Sequence, residues 1–146
     1  MTPHRYRPTR ALWPLTALLA CAACTPEAAP GDPANPQVLA HTLAGAARAR
    51  DYATLSAHMA ERFSYSFGRE PSRAGALAAF RAEPGRLDRL ARTLETECAY
   101  RDAGEERWFV CPAAAADETE PYYDWRAGFR RKADGTWELA WFVAGD

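Results

Sequence analysis

Four cysteines are the residues of this sequence whose chemistry depends most on their surroundings. Cys21 and Cys24 follow an apolar run near the N-terminus, and Cys98 and Cys111 lie where apolar and polar residues alternate. A thiol can be acylated, oxidised to a disulfide or bound to a metal. Cys98 and Cys111 lack the C-x-x-C spacing of a redox pair and have no accompanying ligand set. We therefore predict no metal and no cofactor at this second pair.

An export signal precedes Cys21. A positively charged region comes first, with three arginines at Arg5, Arg7 and Arg10. The apolar run 11–20 that follows is ten residues long, whereas a membrane-spanning helix needs about 20 apolar residues. Pro14 also disfavours a continuous helix. Residues 1–20 are therefore predicted to be a signal peptide.

The residues Leu18-Leu19-Ala20-Cys21 resemble the bacterial lipobox, in which an apolar residue and a small residue precede the cysteine. The resemblance implies that Cys21 is acylated, that palmitate labels it, and that the lipid holds the chain on a membrane. Cys24 is the alternative site, since two small residues precede it. Neither Ala22 nor Thr25 is the aspartate that retains enteric lipoproteins in the inner membrane. The resemblance therefore implies the cell envelope, at the periplasmic face of the outer membrane.

The rest of the chain divides into a tether and one domain. Residues 21–36 are predicted to be the tether, because positions 25–36 hold four prolines and no large apolar residue. Residues 37–146 suffice for a single domain. Without the signal peptide, 15 of the 18 basic residues remain against 19 acidic ones, a net charge of −4. This balance excludes nucleic acid as a partner, because such binding needs many cationic contacts to phosphates.

Helical spacing of apolar residues marks the first half of the domain. The first predicted helix contains Leu39, and the second runs from an N-cap at Asp51 to Phe63. A third helix is predicted to begin after Ser72. The fourth is predicted from an apolar stripe of Leu87, Leu90, Ala91 and Leu94. A short strand is predicted over 63–68, where aromatic and small residues alternate. His41 points to solvent and His58 lies on a helix flank, so we predict no catalytic histidine.

In the second half of the domain, apolar and polar residues alternate with the two-residue period of β-strands. Residues 96–101 and 107–112 flank a turn sequence and predict a hairpin with Tyr100 opposite Phe109. Cys98 then faces Cys111, at a Cα separation that a disulfide can bridge. The predicted export places the pair in an oxidising compartment. We therefore predict a Cys98–Cys111 disulfide.

A last hairpin is predicted from residues 123–131 and 137–143. A two-residue turn would mix arginines with tryptophans on one face. A three-residue loop with left-handed Gly135 separates apolar from charged side chains, and we predict that register. It pairs Phe129 with Leu139 and Arg130 with Glu138. Trp125, Phe129 and Trp141 then share the face that packs against the helices, and Trp141 lies over Ala127.

Helices followed by an antiparallel, curved sheet predict an α+β fold. From Asp51-Tyr52-Ala53-Thr54-Leu55 to Trp137-Glu138-Leu139-Ala140-Trp141-Phe142, the order of elements resembles the nuclear transport factor two-like superfamily. The resemblance implies a conical pocket between sheet and helices, whose lining would include Tyr65, Trp125, Phe129 and Trp141. It also implies Asp, His or Tyr as acid–base groups in enzymes of this fold, for which the candidates are Asp124, Tyr65, Tyr122 and His58.

These four candidates form no recognisable catalytic constellation in the sequence, and one fold hosts many functions. The chain is also similar to uncharacterised bacterial lipoproteins in its last residues, Phe142-Val143-Ala144-Gly145-Asp146. We therefore predict no catalytic residue and a non-catalytic binding or accessory module, with a small apolar ligand or an envelope protein as its partner. The alternative is a small pocket enzyme of the lyase or isomerase type.

Lipidation can be tested directly. Cells that express the chain should incorporate radiolabelled palmitate into it, and the Cys21→Ser/Cys24→Ser double variant should lose the label and leave the membrane fraction, because acyl chains supply the anchor. The single variants identify the acylated cysteine. Label retained by the double variant would contradict the prediction.

Overall fold

The computed structural model describes residues 34–65 and 69–145. The predicted signal peptide, both candidate lipidation sites and most of the predicted tether lie outside these residues, as does the end of the strand predicted over 63–68. In the part that is described, no helix is long and apolar enough to cross a membrane.

Two helices open the domain, α1 (Pro36–Ala49) and α2 (Tyr52–His58). Asn35 caps α1 and Asp51 caps α2, each by accepting hydrogen bonds from two backbone N–H groups of the first turn. The cap at Asp51 agrees with the prediction. Leu39 on α1 and Leu55 on α2 are fully buried, so both helices turn an apolar face inward.

The second helix is shorter than predicted. It ends at His58, and the chain continues as strand β1 (Met59–Ser64). The prediction of a helix as far as Phe63 is therefore wrong. Met59 and Phe63 are four residues apart, a separation that places both on one face of either a helix or a strand. Their spacing could not distinguish the two structures, and both side chains are buried in the strand.

Two further helices follow, α3 (Arg73–Ala82) and α4 (Gly85–Leu94). Ser72 caps α3 as predicted, by accepting a hydrogen bond from the backbone N–H of Gly75. The predicted apolar stripe of α4 is buried, with Leu87, Leu90, Ala91 and Leu94 inside. α4 packs along α1.

Four more strands complete a five-stranded sheet: β2 (Ala99–Ala103), β3 (Glu106–Cys111), β4 (Trp125–Arg131) and β5 (Trp137–Ala144). The strand order is β1-β5-β4-β3-β2. Strands β2 to β5 are antiparallel neighbours, whereas β1 pairs in parallel with β5. The α+β class is confirmed, and the curved sheet is mixed rather than antiparallel throughout.

The β2–β3 hairpin has the predicted register, with Tyr100 opposite Phe109. Directly before β2, Cys98 is joined to Cys111 by a disulfide, and the Cα atoms are 4.4 Å apart. One turn of 3-10 helix (Ala113–Ala116) follows and packs against both strands. The cross-link thus holds the chain that leaves α4 against the end of β3, the strand next to the edge strand β2.

The turn between β4 and β5 also has the predicted geometry. Gly135 is left-handed, with φ of 85°, and Phe129 pairs with Leu139. Asp134 holds the turn because its carboxylate accepts hydrogen bonds from the hydroxyl and the backbone N–H of Thr136. These bonds lower the pKa of Asp134 to about 2.

Beyond Leu139 the predicted register is wrong, because Ala140 is an extra residue in β5. Phe129 pairs with Leu139 but Gly128 pairs with Trp141, so Ala140 forms a β-bulge. The bulge exchanges the faces of the side chains that follow it. Phe142, rather than Trp141, therefore faces the helices, where it is fully buried.

Trp141 lies on the opposite face of the sheet, over Gly128 rather than Ala127. A Cβ atom added to Gly128 would lie 2.1 Å from the indole ring. The missing side chain therefore leaves room for the ring to lie flat on the strand, an arrangement known to support glycines in sheets. The ring of Trp108 lies beside it, with 6.2 Å between the centroids.

The core fills the space between the helices and the inner face of the sheet. Phe80 on α3 contacts Phe63 and Phe142 edge-on, each with 6.4 Å between ring centroids. Trp125 stacks on the other side of Phe142, with 4.7 Å between centroids. The largest fully buried side chains are Phe63, Phe80, Phe129, Phe142, Leu39, Leu43, Leu55, Met59, Leu87, Leu90, Leu94 and Leu139.

Replacing Gly128 by alanine should destabilise the fold by about 1–3 kcal/mol, because the new methyl group overlaps the Trp141 indole and forces it to move. Gly45→Ala is the matched control. A Cβ added to Gly45 meets nothing within 4 Å, and alanine in this helix should stabilise by about 0.5–1 kcal/mol. Urea denaturation measures both changes. A Gly128→Ala variant as stable as the parent would contradict this placement of Trp141.

Candidate functional site

A cleft of about 390 Å³ opens between the C-terminal half of α4 and the segment that leads into β4. Polar side chains dominate its lining, and Trp125 supplies one aromatic wall. The lining residues are Arg89, Arg92, Thr93, Thr96, Pro112, Tyr122, Asp124 and Trp125. We call this the α4 cleft.

The wall formed by α4 presents two cations. Arg89 and Arg92 are three residues apart, so they lie on the same side of the helix. The guanidinium of Arg89 lies over the ring of Trp125, 5.4 Å from its centroid. The hydroxyl of Thr93 donates to the backbone carbonyl of Arg89 at 3.0 Å, and that of Thr96 donates to the carbonyl of Thr93 at 2.7 Å. The hydroxyl oxygens retain lone pairs that can accept a further bond.

The opposite wall is held against the end of the sheet. The backbone N–H of Gly145 donates to the carbonyl of Asp124 at 2.9 Å. A Cβ on Gly145 would lie 2.2 Å from the carbonyl oxygen of Tyr122, so only glycine allows this approach. The Asp124 carboxylate accepts the backbone N–H of Trp125 at 2.7 Å. These contacts fix Tyr122 and Asp124 opposite α4.

The charges of the α4 cleft are unbalanced. Within residues 34–65 and 69–145, no carboxylate lies within ion-pair distance of Arg89 or Arg92. Asp124 is the acidic residue among those lining the cleft. Partial burial, and then the negative charge of Asp124, raise the pKa of the Tyr122 hydroxyl. Tyr122 therefore stays protonated at neutral pH and can donate a hydrogen bond.

The four residues predicted to line one pocket lie in different places. Trp125 lines the α4 cleft, whereas Phe129 is fully buried in the core. Trp141 is on the other face of the sheet because of the bulge at Ala140. Tyr65 borders a separate depression beside α3. They do not converge on a single cavity.

Of the acid–base candidates, the structure brings together Tyr122 and Asp124. His58 ends α2 and Tyr65 follows β1, and neither lines the α4 cleft. His41 is exposed on α1, as predicted, and its ring bonds to the Gln37 amide at 3.0 Å. In the described part of the chain, no group of three or more potential ligands is placed to hold a metal ion.

Sequence reasoning missed Arg89 and Arg92 as site residues. Their spacing on the polar side of a predicted helix was the available signal, but arginines with that spacing on a helix are usually only solvated. Their neighbours in the cleft come from a segment about thirty positions further along the chain. Only the packing of α4 against β4 shows that they face Tyr122 and Asp124.

The chain matches no family model, and neither a curated protein nor a solved structure matches it significantly.

Asp124→Asn should lower the pKa of Tyr122, because it removes the charge that opposes formation of the phenolate. The pKa should stay above the usual value near 10, since burial is the larger cause of the shift. Alkaline titration of tyrosinate absorbance, with Tyr122→Phe to assign the signal, measures this effect. Asp117→Asn, outside the cleft, is the matched control and should leave the titration unchanged. An equal response to both substitutions would refute the electrostatic effect of Asp124 on Tyr122.

Proposed function

We propose that this chain is a lipid-anchored lipoprotein of the bacterial envelope whose domain is a non-catalytic binding module. The export signal and the lipobox-like Leu18-Leu19-Ala20-Cys21 support the anchor, and Cys21 is the preferred acylation site over Cys24. The residues that follow these cysteines, Ala22 and Thr25, support the periplasmic face of the outer membrane. The tether would then hold the domain near the membrane surface.

We further propose that the domain is a variant of the nuclear transport factor two-like cone. Its support is a curved sheet whose inner face packs against the helices, all of which precede strands β2 to β5 in sequence. In this chain the inner face carries packed side chains, since Phe129, Leu139 and Phe142 are fully buried. The proposed binding site is therefore the α4 cleft, at the rim of the core.

The ligand proposed for the α4 cleft is a small organic anion. The observation that carries this proposal is the pair Arg89 and Arg92, two guanidinium groups that face the cleft without a carboxylate partner in the described residues. A carboxylate or phosphate group would form charge-assisted hydrogen bonds with them. The Tyr122 hydroxyl can donate a further bond, and the Trp125 ring offers an apolar surface. The charged lining favours an anion over the purely apolar ligand expected from the sequence.

A binding role has more support than catalysis. A lyase or isomerase needs a base and an acid that converge on one substrate. His58 and Tyr65 lie away from Tyr122 and Asp124. The raised pKa of Tyr122 keeps its hydroxyl protonated near neutral pH, so little phenolate is present to act as a base.

Nuclear magnetic resonance of the intact, isotope-labelled chain tests this site. Citrate and inorganic phosphate serve as probes, and the indole N–H signal of Trp125 reports on the cleft. We expect at least one probe to shift this signal saturably, with the indole signal of Trp137, which lines neither the cleft nor any other pocket described for the domain, as the internal reference. The Arg89→Gln/Arg92→Gln variant should lose the response, because it retains the shape of the wall but not its charge.

Arg62→Gln/Arg107→Gln is the matched control, since it removes the same charge from exposed positions outside the cleft. It should respond like the parent chain. A saturable shift that survives in the Arg89→Gln/Arg92→Gln variant, or no saturable shift with either anion, would overturn the proposed site.

A further inference from the structure

The face of the sheet opposite the helices, called here the outer face, carries large polar and aromatic side chains. Register pairs place four of them side by side across strands β2 to β5, namely Arg101, Trp108, Arg130 and Glu138. Trp141 lies next to this row, over Gly128. Sheet faces exposed to water carry scattered polar residues, but the outer face combines two indole rings with several arginines.

A groove of about 280 Å³ crosses the outer face. It is lined by residues from four strands: Ser64, Arg101, Arg126, Trp141 and Val143. The indole of Trp141 and the side chain of Val143 supply apolar surface, and the two arginines supply the charge. The groove and the α4 cleft have no lining residue in common.

The arginines of the groove are incompletely neutralised. The carboxylate nearest to Arg101 is that of Glu118, 3.5 Å from Nε, and this buried Nε–H has no hydrogen-bond partner. Across the described ranges, Arg126 has no carboxylate within ion-pair distance. Arg130 differs, because it donates to Glu138 at 2.7 Å. Arg126 in particular leaves positive charge at the groove that a carboxylate entering it would compensate.

We propose that the groove is a docking site for an acidic segment of a partner polypeptide. A carboxylate of the partner bonds to Arg101 and Arg126, and a neighbouring apolar side chain packs on Trp141. Charge complementarity selects the acidic group, because a guanidinium binds a carboxylate through paired hydrogen bonds. The groove is smaller than the roughly 300–1,000 Å³ of small-molecule pockets. It accommodates one or two side chains of a chain that lies along an open sheet face.

The test uses two blocked pentapeptides, Glu-Leu-Glu-Leu-Glu and its glutamine counterpart Gln-Leu-Gln-Leu-Gln, titrated into the intact chain. The acidic peptide should shift the indole N–H signals of Trp141 and Trp108 saturably and bind more weakly as salt is added. The glutamine peptide should bind at least about tenfold more weakly, since its groups are uncharged.

Arg126→Gln should weaken binding of the acidic peptide about tenfold or more, as expected for the loss of a charge-assisted hydrogen bond. Arg81→Gln, on α3, is the matched control and should bind like the parent. Ser64→Glu is a second test, because it places a competing carboxylate in the groove and should also weaken binding of the acidic peptide. Thermal melting shows whether each variant is folded.

Three results would overturn the proposal. They are equal binding of the two peptides, undiminished binding by folded Arg126→Gln and Ser64→Glu variants, and a response of Trp141 to phosphatidylglycerol vesicles but not to the acidic peptide. The last result would assign the outer face to a lipid surface. A failure to detect anion binding at the α4 cleft would leave this proposal intact, because binding at the cleft is monitored by Trp125 and binding at the groove by Trp141.

Discussion

The extra residue at Ala140 is the constraint on which both faces of the sheet depend. Side chains of a strand alternate between faces, so one unpaired residue reverses the orientation of those that follow. Phe142 thereby joins Phe80 and Trp125 in the core. Trp141 is placed outside, where the bare backbone of Gly128 accommodates its ring. The core and the outer groove are two consequences of one bulge.

The α4 cleft depends on a second constraint, the meeting of distant parts of the chain at the end of the sheet. The Cys98–Cys111 disulfide holds the chain after α4 next to β3, and Pro112 directly follows this cross-link. On the other side, Gly145 allows the segment at Tyr122 to approach the end of β5. The cleft is therefore a product of backbone packing, which gives its arginines fixed positions.

The two proposed sites are built from the same types of side chain. Each sets arginine next to tryptophan, and each has a guanidinium without a carboxylate partner in the described parts of the chain. They differ in shape, because the cleft is walled by a helix and a loop, whereas the groove lies on an open sheet. On the proposed function, a tethered domain could hold a small anion at its rim and a partner on its outer face at the same time.

The sequence by itself determined features that depend on neighbouring residues: the caps Asp51 and Ser72, the stripe of α4, the turn at Gly135 and the opposition of Cys98 and Cys111. Local hydrogen bonds and periodicity act over a few residues, so they can be predicted from the order of residues. The export signal likewise is a prediction from the sequence alone. The tertiary structure decided the end of α2, the parallel pairing of β1, the bulge at Ala140 and the position of Arg89 and Arg92 opposite Tyr122. These features depend on which distant side chains compete for the same buried space, and no local pattern encodes that competition.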